Sequence, residues 1–376
     1  MKHVVVTGAA GFIGRHVTAL LEFGKLASVG RITLDTSAGE TERELARADA
    51  VIHLAGVNRP TDEREFITGN VDYTRTVVDG LTKAGRGATL VISSSSRAVE
   101  DTPYGRSKLA AESIVAEYGR RTGAPIAVFR LPNVFGKWSQ PNYNSAVATF
   151  CHSVARGLPF QVHDRSRGIS LVYGEDVART MITAALADGA GKRAGDFHVV
   201  EPQYDRTLGE IVSLLEQFRA LRTELRLPDF SDSFVQKLYT TYVSFIPTDE
   251  LSYALHQYTD ERGALAELLK SPWFGQVFVS RTRPGITRGN HFHHTKTEKF
   301  VVLEGDAVIR MRAIDSAEVI EIPVRGSDFR VVDIPPGYTH SITNVGTGEM
   351  VTLFWSSEIF DRERPDTYML PVQTTP

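Results

Sequence analysis

From residue 1 to about 245, short apolar runs rich in β-branched residues alternate with longer stretches whose apolar positions recur every three or four residues. Val4–Val6, Ala50–His53, Thr89–Ile92 and Ile126–Phe129 predict strands, while Glu40–Ala48, Thr74–Thr82, Ser107–Tyr118 and Thr207–Phe218 predict amphipathic helices between or after them. That alternation predicts a doubly wound α/β domain, a parallel sheet covered by helices. From about residue 275 the helical period disappears. Val277–Thr282, Lys299–Leu303, Ala307–Arg312, Val319–Val324, Phe329–Ile334 and Met350–Trp355 are short strand-like runs separated by turn residues, the pattern of an antiparallel sandwich or barrel. Pro247-Thr248-Asp249 marks the join, giving domains 1–246 and 247–376, the second opening on a short linking helix around Gly263–Lys270.

The 376 residues are enough for two domains, and 42% hydrophobic with 23% charged residues is ordinary globular balance. A formal charge of −3 provides no basic footprint for nucleic acid. The lone Cys151 cannot form an intrachain disulfide, and no apolar run approaches the ~18–20 residues that cross a bilayer. Met1–Gly8 fails as a secretory signal, so the expected compartment is the cytoplasm.

Val4-Val5-Val6-Thr7-Gly8-Ala9-Ala10-Gly11-Phe12-Ile13-Gly14 reads as a strand, a glycine turn and a helix start. Pyrophosphate must approach bare N–H groups at a helix N-terminus, and side chains on the turn would block it. Asp35 follows about 20 residues after the last glycine, where an acid would hold the adenosine ribose and favour NAD, although it could equally cap the next helix. Arg15 could instead face the 2′-phosphate of NADP, with Arg59 adding charge. Downstream, Tyr104 and Lys108 stand four apart and so share one helix face. A lysine ammonium stabilises a phenolate, which suits a proton-transfer role, and the strand Leu90–Ile92 runs into four serines, Ser93–Ser96, at the mouth of the sheet.

Taken together, Thr7–Gly14, His53-Leu54-Ala55-Gly56, Tyr104 with Lys108, and Pro132-Asn133-Val134-Phe135-Gly136 resemble the extended short-chain dehydrogenase/reductase family of nucleotide-sugar enzymes. The resemblance implies a Rossmann-type domain in which Gly8, Ala10, Gly11, Phe12, Ile13, Gly14, Arg15, Asp35, His53, Leu54 and Ala55 hold NADP(H), or NAD(H). It implies Tyr104 as proton donor, Lys108 on the nicotinamide ribose, and Ser95 as the third catalytic residue with Ser94 as the alternative. Asn133, with Asn142, Tyr143 and Asn144 further on, would meet the sugar nucleotide.

Near the C-terminus, Gly285 precedes His291-Phe292-His293, Glu298 and Gly305, and Pro335–His340 supplies a further histidine, with Asn344 beyond. In a strand His291 and His293 point to one face, so a barrel interior can receive both, while Glu298 and His340 enter from neighbouring strands. Three histidines and a carboxylate suit zinc, or manganese, iron or nickel. The spacing resembles the two motifs of the cupin family, a jelly-roll barrel, except that Phe329 stands at a usual glycine; His294 falls outside the ligand set. Lys296, His294 and Tyr338 are nearby proton carriers on this reading.

Along nearly its whole length the chain resembles bifunctional UDP-sugar reductase/epimerases of capsule and O-antigen synthesis. His53–Pro60, Gly136-Lys137-Trp138, Pro141–Ser145, Arg288–His291 and Pro365-Asp366-Thr367-Tyr368 carry that resemblance. It implies a UDP-2-acetamido-2,6-dideoxy-4-ketohexose as substrate, epimerisation at carbon 3 by the cupin, reduction at carbon 4 with NADPH, and a homodimer. A reductase with a purely structural cupin, or a dinucleotide-binding sensor without catalysis, are the other readings the residues allow.

Overall fold

The structure, a computed structural model, describes residues 1–143, 145–187, 197–255, 257–260, 263–266, 275–358, 361 and 363–373. Its chain forms two compact units, one of residues 1–146 and 168–206, the other of residues 147–167 and 207–376. Compactness therefore does not divide the chain at residue 247, where the sequence pattern changes.

In the first unit β1 (His3–Thr7), α1 (Phe12–Phe23), β2 (Ser28–Ile32), α2 (Ala38–Arg47) and β3 (Ala50–His53) are followed by the single turn α3 (Arg64–Phe66). A π-turn over Ile67–Asp72 then leads into α4 (Tyr73–Ala84), β4 (Thr89–Ser95), α5 (Pro103–Thr122) and β5 (Ile126–Leu131). β6 (Asn133–Phe135) comes next; α6 (Ala146–Arg156) belongs to the other unit, and β7 (Gly168–Tyr173), α7 (Gly174–Leu186), β8 (Phe197–His198) and β9 (Tyr204–Thr207) complete the series. The main sheet runs β2-β1-β3-β4-β5-β8, with every pairing parallel. Its strands read as continuous apolar runs because both faces are covered. Val4 and Val6 pack against Val17 and Leu21 of α1 and Met181 of α7, while Val5 packs on the opposite face with Leu45, Val77 and Val115. α5 begins earlier than the sequence suggested, with Thr102 as its cap, accepting from the Gly105 N–H at 3.0 Å, and Pro103 at the first helical position.

The second unit carries α8 (Leu208–Thr223), α9 (Ser233–Val243) and a series of antiparallel strands. These are β10 (Ser252–Ala254), β11 (Gln257–Asp260), β12 (Gly263–Ala266), β13 (Gln276–Thr282), β14 (Thr287–Phe292), β15 (Glu298–Glu304) and β16 (Asp306–Ala313). β17 (Ile320–Arg325), β18 (Arg330–Ile334), β19 (Tyr338–Asn344), β20 (Met350–Ser356) and β21 (Tyr368–Met369) follow. Two five-stranded sheets, β10-β18-β15-β20-β13 and β17-β16-β19-β14-β21, make the double-sheet cupin jelly roll.

Two local expectations change. Gly263–Ala266 is a strand paired with Gln257–Asp260, not the start of a linking helix, and 267–270 lie outside the described residues. A helix that short nucleates poorly, whereas an adjacent strand supplies partners at once. Phe329 precedes its strand instead of opening it, at φ 46° and ψ 46°. This is the left-handed region that accounts for a glycine preference at this position, and packing against Leu255, Val301 and Val331 holds the phenylalanine there.

Candidate active site and metal centre

Gly8 leaves β1 at φ 66°, and a Cβ there would lie 2.8 Å from the Ala55 amide nitrogen. An added Cβ at Gly14 would come 2.1 Å from the Gly8 carbonyl oxygen, so α1 can start close over the turn only without side chains. The turn sits at the carboxyl ends of the strands, where the order switches from β2 to β3 on either side of β1. Gly11 caps α1 with no side-chain hydrogen bond, which leaves the first-turn amides to an anion. Ala10 is exposed on the turn, and Phe12 and Ile13 are half-buried.

The Arg15 guanidinium lies 4.7 Å over the Trp138 ring, and burial lowers its pKa to about 10, still cationic at neutral pH. His16 donates to the Lys137 carbonyl at 3.1 Å and ties α1 to this segment. Asp35 is exposed in the turn after β2. The helix cap is Ser37 instead, in a reciprocal capping box with Glu40.

His53 is buried with both ring nitrogens engaged. Thr7 Oγ1 accepts from the Leu54 and Ala55 N–H groups at 3.2 Å each, so its own proton goes to His53 Nδ1 at 2.7 Å. Nε2–H then donates to Thr74 Oγ1 at 2.9 Å, and that hydroxyl donates to the Asn70 carbonyl at 2.6 Å. This neutral tautomer agrees with a pKa that burial, and secondarily the Lys108 charge, push down to about 3. The imidazole thus braces the strand ends that carry Leu54 and Ala55. Asn70, buried in the π-turn, was not singled out from the sequence. Its amide binds both backbone groups of Val57, at 2.8 and 2.9 Å, and donates to Ser107 at 2.9 Å. The only sequence signal would have been a polar residue at an inward position of the helical period.

Strand alternation resolves the serines. Ser94 turns to Glu112, donating at 2.5 Å to a carboxylate that Arg130 holds at 2.9 and 2.7 Å. Ser95 turns the other way, accepts the Arg97 N–H at 3.2 Å, and lies on the Tyr104 side, where its hydroxyl acts to lower the phenol pKa. Burial raises the Tyr104 pKa, opposed by the Ser95 hydroxyl and the Arg97 charge. Lys108 Nζ lies 5.9 Å from the Tyr104 ring, and burial, partly offset by Glu112, lowers its pKa to about 8. A protonated phenol near a serine hydroxyl and an ammonium can deliver a proton to a carbonyl oxygen. Asn133 is exposed and donates to the Ser170 carbonyl at 3.1 Å; Asn142, at φ 55°, and Tyr143 are exposed, and Asn144 lies outside the described residues.

In the second unit the ligand atoms of His291, His293, Glu298 and His340 lie within 4.8 Å of one another. His291 and His340 face each other across β14 and β19, while Glu298 opens β15 of the other sheet, so the cluster bridges the two sheets of the barrel. β14 ends at Phe292, which leaves His293 one residue beyond the strand. It is held instead by its Nδ1–H, which donates to the Asp366 carbonyl at 2.6 Å. His340 Nδ1 donates to the Tyr338 carbonyl at 3.3 Å.

The buried Nε2 atoms of His293 and His340 make no well-formed hydrogen bond, although Glu298 Oε2 is only 3.2 and 3.1 Å away. Lone pairs and a carboxylate crowding one point, with the opposite nitrogens anchored, fit a divalent cation. Burial and the neighbouring imidazoles hold His291 neutral, with its pKa down at about 3. For Glu298, His293 and His340 outweigh burial and keep the carboxyl below its usual range. Of the other residues nearby, Lys296 donates to the Pro365 carbonyl and to Thr367 Oγ1, and His294 is buried against Phe292 and Tyr368. Tyr338 is half-buried, and Asn344 braces a turn through the Thr282 and Gly348 carbonyls.

A phosphate-cradling turn at the switch point of a parallel sheet, a serine–tyrosine–lysine set beside it, and an imidazole-lined jelly roll define an extended short-chain dehydrogenase/reductase joined to a cupin. The chain belongs to the NAD dependent epimerase/dehydratase family, which matches residues 4–199, and a polysaccharide biosynthesis C-terminal domain matches residues 258–368. It is 43% identical, over 98% of both chains, to UDP-2-acetamido-2,6-beta-L-arabino-hexul-4-ose reductase of Pseudomonas aeruginosa. Among solved structures it resembles the capsular polysaccharide assembling protein CapF of Staphylococcus aureus, with 43% identity, TM-score 0.67, and coverage of 99% of this chain and 100% of that one. UDP-N-acetylglucosamine 4-epimerase of Bacillus cereus, 20% identical with TM-score 0.50, shares the fold over 58% of this chain and 82% of its own.

Proposed function

We propose that the protein is a bifunctional enzyme acting on a UDP-2-acetamido-2,6-dideoxy-4-ketohexose. The cupin epimerises carbon 3, the reductase domain reduces the 4-keto group with NADPH, and the product is UDP-N-acetyl-6-deoxy-L-talosamine for capsule or O-antigen. The observation that carries this reading is the coexistence, in one chain, of a serine–tyrosine–lysine proton-delivery set and an anchored three-histidine, one-glutamate cluster. The whole-length similarity to a UDP-ketosugar reductase supports the substrate class.

In this reading Gly8, Gly11 and Gly14 admit the pyrophosphate, Arg15 meets the 2′-phosphate, and His53 braces Leu54 and Ala55 beside the turn. When bound, NADPH supplies hydride to carbon 4. Tyr104 donates its proton to the ketone oxygen; Ser95 orients the phenol, and Lys108 offsets the charge left behind. Asn133, Asn142, Tyr143 and Asn144 contact the sugar nucleotide. His291, His293, Glu298 and His340 would hold a divalent ion, zinc in this proposal, and that ion would supply Lewis-acid polarisation of the keto oxygen beside carbon 3. Epimerisation comes first because the ketone acidifies its neighbour only until it is reduced. Residues 1–246 carry the reduction and 247–376 the epimerisation, in a cytoplasmic homodimer.

The test is incubation with the 4-keto UDP-sugar in deuterated water, with and without NADPH, followed by NMR. Exchange at carbon 3 without NADPH, and reduced talo product with it, is the expected result. Reduction without exchange would leave the cupin a structural module, and no turnover at all would point to a sensor. Steady-state rates with both cofactors should favour NADPH; a tenfold preference for NADH would assign Asp35, not Arg15, to the adenosine end.

A further inference from the structure

The C-terminal segment Pro365–Val372 makes a strap along β14, the strand that carries His291 and leads into His293. His291 pairs with Met369 and Phe292 with Tyr368, the Leu370 N–H donates to the Asn290 carbonyl at 2.8 Å, and the Val372 N–H donates to Asn290 Oδ1 at 3.3 Å. The buried Arg312 side chain donates to the Val372 and Pro371 carbonyls at 2.8 and 3.0 Å, pinning the far end.

Asp366 is the near end, and it does two things at once. Its carbonyl accepts the Nδ1–H of His293. Its carboxylate accepts three consecutive N–H groups of the loop that follows: His294 at 3.0 Å, Thr295 at 2.9 Å and Lys296 at 3.0 Å, together with the Thr295 hydroxyl at 2.9 Å. Such a carboxylate caps a turn as an Asp caps a helix. The residue holds φ 37°, a strained conformation for a non-glycine residue, so its several bonds must outweigh that strain. With Nδ1–H committed, the lone pair of His293 is on Nε2, facing the cluster.

We propose that Asp366 is a positioning residue for the metal centre, and that the strap it closes sets how tightly the cupin retains its ion. This rests on the reading of His291, His293, Glu298 and His340 as metal ligands. Outer-shell partners of ligating histidines typically govern about 10–100-fold in metal affinity. In Asp366→Asn one carboxylate oxygen becomes an NH2 group that cannot accept the Thr295 and Lys296 amides, so the turn loosens and the Asp366 carbonyl that anchors His293 is held less firmly. Thr295→Val, which removes a hydroxyl set between Asp366 Oδ2 at 2.9 Å and Glu358 Oε1 at 2.8 Å, is the milder companion.

The full-length protein, stripped with chelator and dialysed, is titrated with Zn2+ against a chromogenic chelator and with Co2+ for its visible spectrum. Its melting temperature is measured in chelator and in saturating metal. The expected result is a ~10–100-fold weaker ion affinity for Asp366→Asn, with a changed cobalt spectrum. The metal-induced rise in melting temperature shrinks too, because bound ligand stabilises in proportion to RT ln(1 + [L]/Kd). Equal affinity, spectrum and melting rise in mutant and wild type would overturn the inference, as would an equal loss of stability with and without metal at unchanged affinity. Absence of ion binding by the wild-type protein would overturn the underlying metal reading instead, and the two failures are thereby distinct.

Discussion

Ser94 and Ser95 are neighbours in one strand with opposite surroundings, because successive side chains leave a strand on opposite faces. Ser95→Ala should lower kcat for reduction about 10²–10³-fold, the usual effect of losing one oriented donor at a reacting oxygen. Ser94→Ala should leave kcat within a few-fold and instead cost about 1–3 kcal/mol of stability by stripping Glu112 of a buried partner. Steady-state rates and denaturant melts separate the two. At Lys108 burial dominates and lowers the pKa to about 8. The ammonium is then lost as pH rises through about 8, over two units below a free lysine. kcat/KM for reduction should therefore fall above that pH, and a Lys108→Met variant should be slow at every pH and lack that limb in its pH–rate profile. Four serines in a row cannot announce which one faces the phenol; strand phase decides it, and the phase follows from β4 pairing with β3 and β5.

Among elements, β1, the glycine turn and α1 were readable as a unit, because the chemistry of the turn forces both its residues and its flanks. Gly14→Ala places a methyl 2.1 Å from the Gly8 carbonyl, so α1 must shift. About 1–3 kcal/mol of stability should be lost, and NADPH affinity should fall with it, checked by melting and by fluorescence titration. Other elements were less legible. β14 carries His291, but its register shifts between Gly289 and His291 and it stops at Phe292. The expected in-strand alternation of His291 and His293 is therefore replaced by an anchor 73 residues away in sequence. The π-turn with Asn70 and the strand at Gly263–Ala266 share the same reason: each exists because of a partner elsewhere in the chain, not because of local preference.

On the scale of the whole molecule, two chemistries in one chain should be separable. Chelation should abolish deuterium exchange at carbon 3 while leaving NADPH binding unchanged. Tyr104→Phe should slow reduction by about 10²–10⁴-fold and leave the exchange intact, and His340→Ala should do the reverse to the exchange. NMR of the ketosugar and cofactor fluorescence report each outcome. The broad architecture was legible because hydrophobic period is a local property: runs buried on both faces and stretches of helical period predict a covered parallel sheet, and short alternating runs predict a barrel. The grouping of the candidate residues was legible too: the glycines fall together in the turn after β1, and His291, His293, Glu298 and His340 converge within 4.8 Å. Residues 147–167 and 207–246 nevertheless belong with the cupin by compactness, not with the sheet that their helical pattern suggested. Which serine meets Tyr104, which tautomer His53 takes, why Phe329 tolerates a glycine's conformation and what aims His293 all depend on contacts between residues far apart in the chain. Burial and hydrogen-bond partners at such positions are set by packing, and no local pattern encodes them.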